Sequence, residues 1–350
     1  MTGTTGTHRR FGALRDVGTG MAAVTVKELR GRMRGKRAFV ILTIYLLLVA
    51  GFAWMIESLT ERTYTSGFSG SFSASADIGR GMFLGIVILL TIVTLILAPA
   101  STAGAISMER EKQTLDLLTT TPISSLAIVL GKLLSALSWI LLLLAASIPV
   151  VALVFTFGGV APEDVLRAYV VLLGTAFMFG ALGLFISALL KRTQAATIID
   201  LVLAIVFTAG TAFVFIFWVA MTGNSGVLPD QPAGGSGNPI EQLTRRPPEA
   251  LLWMNPFVSQ IDVMCGTENT FAASCQIIAG VTGKDGGLVD PATGIQAGIG
   301  RDSFWPHSVL AMVVTGLVLI VLSVQLVSPT RRWRLRLPRL RRRPAGGAAS

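Results

Sequence analysis

Charge is what this chain has least of. Only 14% of its 350 residues are charged, against 52% hydrophobic, whereas a soluble domain carries about a quarter charged residues. That shortfall excludes a water-soluble enzyme of one or two domains. Cysteine and histidine are scarcer still, two of each. His8, His307, Cys265 and Cys275 are too few and too scattered for a zinc or iron–sulfur site. A nucleotide-binding loop is missing as well. Each Gly-Lys pair (Gly35-Lys36, Gly131-Lys132, Gly283-Lys284) lacks both the upstream glycine and the following Ser/Thr of a P-loop. Any ATP chemistry must therefore come from another chain.

What the chain has in quantity is apolar sequence, in blocks long enough to cross a bilayer, which takes about 20 residues in a helix. Six spans are read, at about residues 38–55, 82–105, 133–155, 169–190, 196–221 and 307–327. The expected fold class is all-α, a polytopic membrane protein with six transmembrane helices. The first span is longer than the apolar core of a cleaved signal, and Ala74-Ser75-Ala76 lies too far downstream to be its cleavage site.

The net charge is +10, but the basic residues flank apolar blocks and collect at both ends. The partner this distribution suits is a lipid bilayer with anionic headgroups, not nucleic acid. Lys/Arg bias also sets orientation. Six spans place both termini on one side. Putting that side in the cytoplasm leaves 22 of the 29 basic residues inside and seven outside: Arg62, Arg80, Arg167, Arg245, Arg246, Lys284 and Arg301. The expected location is the cell (inner or plasma) membrane, multi-pass, with both termini cytoplasmic.

Residues 1–37 form the first cytoplasmic segment. Within it Val26, Leu29 and Met33 fall at helical spacing, with Lys27, Arg30 and Arg34 on the other side. This is the pattern of an amphipathic helix lying in the membrane surface; an unstructured basic run is the alternative. Residues 38–221 hold spans one to five, and residues 222–304 form an extended extracytoplasmic loop that opens, over 222–248, as a Gly/Pro-rich linker. Residues 250–258 are apolar and too short to cross, which suits a re-entrant or surface-lying helical piece on the outer rim. Plain burial against neighbours would explain them equally. Cys265 and Cys275 both lie in this loop, with nine residues between them. Outside the membrane oxidation is permitted, and a disulfide would contribute about 2–3 kcal/mol; two free thiols are the other reading. The sixth span (305–328) leads to a basic cytoplasmic tail, 329–350, containing Arg331-Arg332-Trp333-Arg334 and Arg341-Arg342-Arg343.

The segment that points to function joins spans two and three, at about 106–124, and is placed in the cytoplasm. Its charges at Glu109, Arg110, Glu111 and Lys112 do not suit hydrocarbon, where such a residue costs about 2.5–3.5 kcal/mol at the bilayer centre. Residues 111–118 contain no Gly or Pro, so one or two helical turns are expected. Met108, Leu115 and Leu118 would face the membrane domain, and Glu109, Arg110, Lys112 and Gln113 the cytosol. Pro122 then ends the helix and Ser124 caps the next. Such a helix is a suitable lever for a soluble partner; a solvated connecting helix is the plain alternative.

The succession Glu109-x-Glu111, Thr114-Leu115-Asp116-x-Leu118, Thr121-Pro122 and Gly131-Lys132 resembles permease subunits of the ABC-2 (type-2 ABC exporter) family. The basic segment before span one, the six-span layout and Asn255-Pro256-Phe257 ahead of the last span match that family too. The resemblance implies a dimer of six-helix permease subunits, homo- or heterodimeric, seated on two ATPase subunits that bind ATP and Mg. It implies a coupling helix over 109–118, with Glu109, Arg110, Glu111, Gln113, Thr114, Leu115 and Leu118 meeting the ATPase. A second contact would come from the surface helix carrying Lys27, Leu29, Arg30, Met33 and Arg34. Asp116 stands where the family often has glutamate, and the loop before the last span is long for the family. The expected function is the membrane-spanning subunit of an ATP-driven exporter, with no catalysis of its own.

Two other classes compete. A membrane scaffold using an ABC ATPase to drive an extracytoplasmic process would suit the large outer loop. An intramembrane enzyme would need polar groups converging at depth, and Asp200 is the one acid clearly within a span. Pairing with Lys191, Arg192 or Lys132 is its expected role.

Overall fold

An apolar run in lipid can satisfy its backbone only by closing its hydrogen bonds within one helix or within a barrel. The computed structural model of the chain describes residues 25–26, 36–65, 71–113, 125–221, 249–265 and 304–327, and among these there is no strand. The helices are α1 (Lys36–Thr65), α2 (Ser71–Thr102), the short α3 (Ser107–Glu111), α4 (Ser125–Ala152), α5 (Pro162–Leu189), α6 (Thr193–Met221), α7 (Pro256–Cys265) and α8 (Trp305–Val327). Two 3-10 turns accompany them, Leu153–Thr156 after α4 and Glu249–Leu251 before α7. Helices α1, α2, α4, α5, α6 and α8 are each long and apolar enough to cross a membrane. The all-α, six-span architecture is thus as the sequence reads.

The helices overrun the apolar blocks. Much of the polar stretch between the first two spans is helical, because hydropathy marks where lipid ends and not where the backbone ladder ends. Arg80 near the start of α2 is buried, and its Nε donates to the Gly159 carbonyl at 3.0 Å. That carbonyl belongs to a two-glycine turn, Gly158 and Gly159, both at φ +80°, a left-handed conformation that glycine adopts without penalty. The turn delivers the chain to Pro162, the first residue of α5, where a missing N–H costs nothing. Asp164 secures the start of this helix: its Oδ2 accepts the Ala161 N–H at 3.3 Å and its Oδ1 accepts from Arg167 at 3.1 Å.

Helix α5 is the axis of the bundle and the most buried of the six spans. Lipid is as apolar as leucine, so spans associate through close packing and hydrogen bonds rather than the hydrophobic effect. Small residues provide the close packing. Gly180 of α5 lies against Leu133 and Leu137 of α4, Gly183 against Pro99 and Thr102 of α2 and Asp200 of α6, and Gly316 of α8 against the Phe177 ring of α5. Around them Phe83, Ile86 and Leu90 of α2, Ile140 of α4, Leu172 and Phe179 of α5 and Met312 of α8 form a continuous core. By contrast Phe39, Leu47 and Trp54 on α1, and Ile198, Phe213 and Ile216 on α6, point outward and are exposed.

At the end of the bundle where α5 begins, α7 lies across the helix ends. Gln260 Nε2 donates to the Ala168 carbonyl at 3.2 Å, Asn255 Nδ2 to the Thr208 carbonyl at 3.0 Å, and the Trp305 N–H to Asp262 at 3.0 Å. The Asn255 side chain also caps α7, its Oδ1 accepting the Phe257 N–H at 3.1 Å. The apolar piece expected over 250–258 is therefore a turn followed by a helix that starts at Pro256. Cys265 is the last residue of α7 and Cys275 lies outside the described residues, as do Lys27, Leu29, Arg30, Met33, Arg34 and the basic tail 329–350.

Candidate functional site

At the other end of the bundle, α2 stops at Thr102 and one turn, residues 103–106, redirects the chain into α3. A five-residue helix cannot hold itself together in water, since an isolated helix needs roughly 12–15 residues. α3 persists because three spans, α4, α5 and α6, grip it. The N–H groups of Ile106 and Ser107 both donate to Ser187 Oγ near the end of α5, at 2.9 and 3.0 Å. These are the orphan donors of a helix start, satisfied here by a residue 80 positions along the chain. Ser107 Oγ donates in turn to the Ala103 carbonyl and lies 3.2 Å from Thr193 Oγ1.

The acidic side chains complete the grip. Glu111 accepts the Thr193 N–H through Oε1 at 2.8 Å and the Thr193 hydroxyl through Oε2 at 2.9 Å. It thereby caps the first turn of α6, where negative charge is favourable. The backbone N–H of Thr193 holds the Glu111 carboxyl below the usual glutamate range, its hydroxyl adds to this, and nearby Arg192 contributes less. Glu109 Oε1 pairs with Lys132 Nζ of α4 at 2.8 Å. Lys132 is only 3% exposed, so this ammonium needs the carboxylate beside it. One residue before it, the Gly131 carbonyl accepts Thr25 Oγ1 at 3.2 Å. The Gly131-Lys132 pair is thus where α4 meets both the helical turn at Thr25–Val26 and α3.

The expected facing of the segment is corrected on two points. Glu109 faces the bundle, drawn inward by Lys132, and Met108 is 45% exposed. α3 itself closes at Glu111, since Lys112 leaves helical geometry and Gln113 is left-handed at φ +55°. The charged tip made by Glu111, Lys112 and Gln113 is exposed, with Arg110 half-buried beside it. Thr114, Leu115 and Leu118 lie outside the described residues. Asp200 pairs with none of the three expected cations among the described residues, since both of its carboxyl oxygens lack a hydrogen-bond partner there.

Ser187, Thr193 and Thr25 are site residues that the sequence pattern does not mark. Lys132 carried a signal, because a lysine inside an apolar run requires an acid. Glu109, Glu111, Asp116 and Asp200 were all within reach by sequence, and three-dimensional placement selects Glu109.

This constellation has no nucleophile–base pair, and no group of three or more metal-binding side chains occurs among the described residues. What it can do is mechanical: a force on the tip of α3 reaches α4 through Glu109, α5 through Ser187 and α6 through Glu111. No curated protein matches the chain. A family model, described as ABC-2 family transporter protein, matches residues 22–273, which covers the end of the segment before α1, five of the six spans, α3 and α7. The chain belongs to the ABC-2 transporter family.

Proposed function

We propose that the chain is the permease subunit of an ATP-driven exporter and that α3, with the residues after it, docks on a separate ATPase subunit that binds ATP and Mg. Members of the family generally work with such a subunit. The observation that carries this reading is the triple anchorage of α3, which is tied to α4 through Glu109, to α5 through Ser187 and to α6 through Glu111, while Lys112 and Gln113 at its end are left exposed. A connecting loop needs no such anchorage, whereas a lever does. ATP-driven closure of two ATPase subunits would displace the tip and, through three hydrogen-bonded contacts, bias a two-state membrane dimer. Arg110 and Lys112 would meet acidic residues of the ATPase. The second permease subunit, identical or not, would cover exposed apolar faces of the outer spans. The substrate path would run between the two subunits.

The test is co-purification of the full chain with its ATPase, followed by ATP turnover and transport in liposomes. Glu111→Lys is expected to insert normally, to keep basal ATP turnover and to lose most transport, because it breaks the α3–α6 contact and reverses the tip charge. Wild-type transport by this variant would refute the lever. A complex that turns over ATP and moves no cargo would favour the scaffold.

A further inference from the structure

A carboxylate within a membrane-spanning helix survives only where a partner, an ion or water takes its charge. Asp200 on α6 is fully buried, and neither carboxyl oxygen has a hydrogen-bond partner among the described residues. Its surroundings consist of oxygen atoms. At Gly183 of α5, an added Cβ would lie 2.5 Å from Asp200 Oδ2 and 2.8 Å from the Pro99 carbonyl oxygen, and it would also strike Thr102 Oγ1. A carboxyl, a hydroxyl and a backbone carbonyl from two helices therefore converge on the bare backbone of a third.

None of these neighbours offers a hydrogen to an ionised carboxylate. The Thr102 hydroxyl is directed at the Ala98 and Pro99 carbonyls, at 3.1 and 3.2 Å. Pro99 has no N–H to give, and its carbonyl already accepts the Ala103 N–H at 2.8 Å. The charged groups on the packed elements lie elsewhere. Asp77 and Arg80 of α2, and Glu163, Asp164 and Arg167 of α5, are at the opposite ends of their helices. Asp200 is the only charged side chain in α6. On the α3 side, Glu109 and Lys132 hold each other, Glu111 holds Thr193, Lys191, Arg192 and Lys112 are exposed, and Arg110 is half-buried beside the tip. An uncompensated buried charge costs several kcal/mol, and a single proton removes that cost.

We propose that Asp200 is a proton-binding site of the membrane domain, its carboxyl seated as a neutral acid that donates its O–H to an oxygen of the Pro99–Thr102 segment. The acid then ties α6 to α2 across Gly183. Release of the proton leaves a carboxylate facing acceptors, and the seam between α2, α5 and α6 opens. This seam is directly above the base of α3: Thr102 precedes the turn into α3, and Asp200 is two helical turns from Thr193, the residue gripped by Glu111. Proton occupancy thus sets how firmly α3 is held, whichever partner α3 meets.

The experiment is an alkaline-minus-neutral infrared difference spectrum of the full chain in lipid bilayers, without ATPase, in sodium and in choline chloride. The expected result is loss of a protonated-carboxylic C=O band that shifts on ¹³C-aspartate labelling, is absent from Asp200→Asn and is the same in both salts. Absence of an aspartate-shifted band in the wild type overturns the proposal, and this arm needs no substitution to fold. A band that persists in Asp200→Asn overturns it too. A band abolished by sodium at neutral pH would replace the proton with a metal cation.

Discussion

Lys132 shows how a single residue can be legible as a problem and illegible as a solution. Its position in an apolar run announces an ion pair, and the carboxylate that answers is Glu109, at 2.8 Å. The two partners are unequally buried, at 4% and 27% side-chain exposure, and that inequality makes a prediction. Glu109→Gln takes the carboxylate at 2.8 Å away from a buried ammonium and should cost about 2 kcal/mol, below the 3–5 kcal/mol of a fully buried pair because the Glu109 side is partly exposed. Lys132→Met removes the buried charge and leaves a carboxylate that can rehydrate, so it should cost less. The double variant should fall near Lys132→Met alone, as expected where removing both partners is nearly neutral. Thermal unfolding in detergent or nanodiscs orders the three. A Lys132→Met variant less stable than Glu109→Gln would show that burial does not govern this pair.

At the scale of elements, spans and connections were unequally readable. Each span is an apolar run of sufficient length, so its existence follows from composition. The facing of α3 departs from the expected one at Glu109, which pairs inward with Lys132, whereas Leu115 and Leu118 of the expected face lie outside the described residues. Five residues are too few for periodicity to name a face, and the contacts that orient α3, Ser187 and Thr193, are 80 or more positions away. The connection between α4 and α5 is a sharper case, since two adjacent glycines share φ +80° but differ in surroundings. A Cβ on Gly158 meets nothing within 4 Å, whereas on Gly159 it would press into the Ala76 backbone, 3.0 Å from Cα. Gly158→Ala should therefore cost only the left-handed penalty, about 1 kcal/mol. Gly159→Ala should cost about 3 kcal/mol, because overpacking against α2 adds to it, and it should loosen the Arg80 contact as well. Denaturant or thermal midpoints of the two variants measure the difference, and equal losses would show that the close approach to α2 carries no strain.

For the whole molecule, the two ends of the bundle are built differently, and the proposed function assigns each a side of the membrane. One end carries α3, gripped by three spans; the other carries α7 lying over the starts of α5 and α8. The excess of Lys and Arg in the tails and in the α2–α4 connection argues that the α3 end is cytoplasmic. The long outer loop contributes little to that count, since long segments translocate largely regardless of their charge. A motor that hydrolyses ATP must meet α3 on the side where ATP is, so orientation and lever stand or fall together. Single cysteines placed at Lys112, on the exposed tip, and at Glu163, exposed at the start of α5, decide the matter in a background with Cys265→Ser and Cys275→Ser. A membrane-impermeant maleimide added to intact cells should label Glu163→Cys and leave Lys112→Cys unmodified until the membrane is permeabilised. Labelling of Lys112→Cys in intact cells would put α3 on the outside, where no ATPase can push on it.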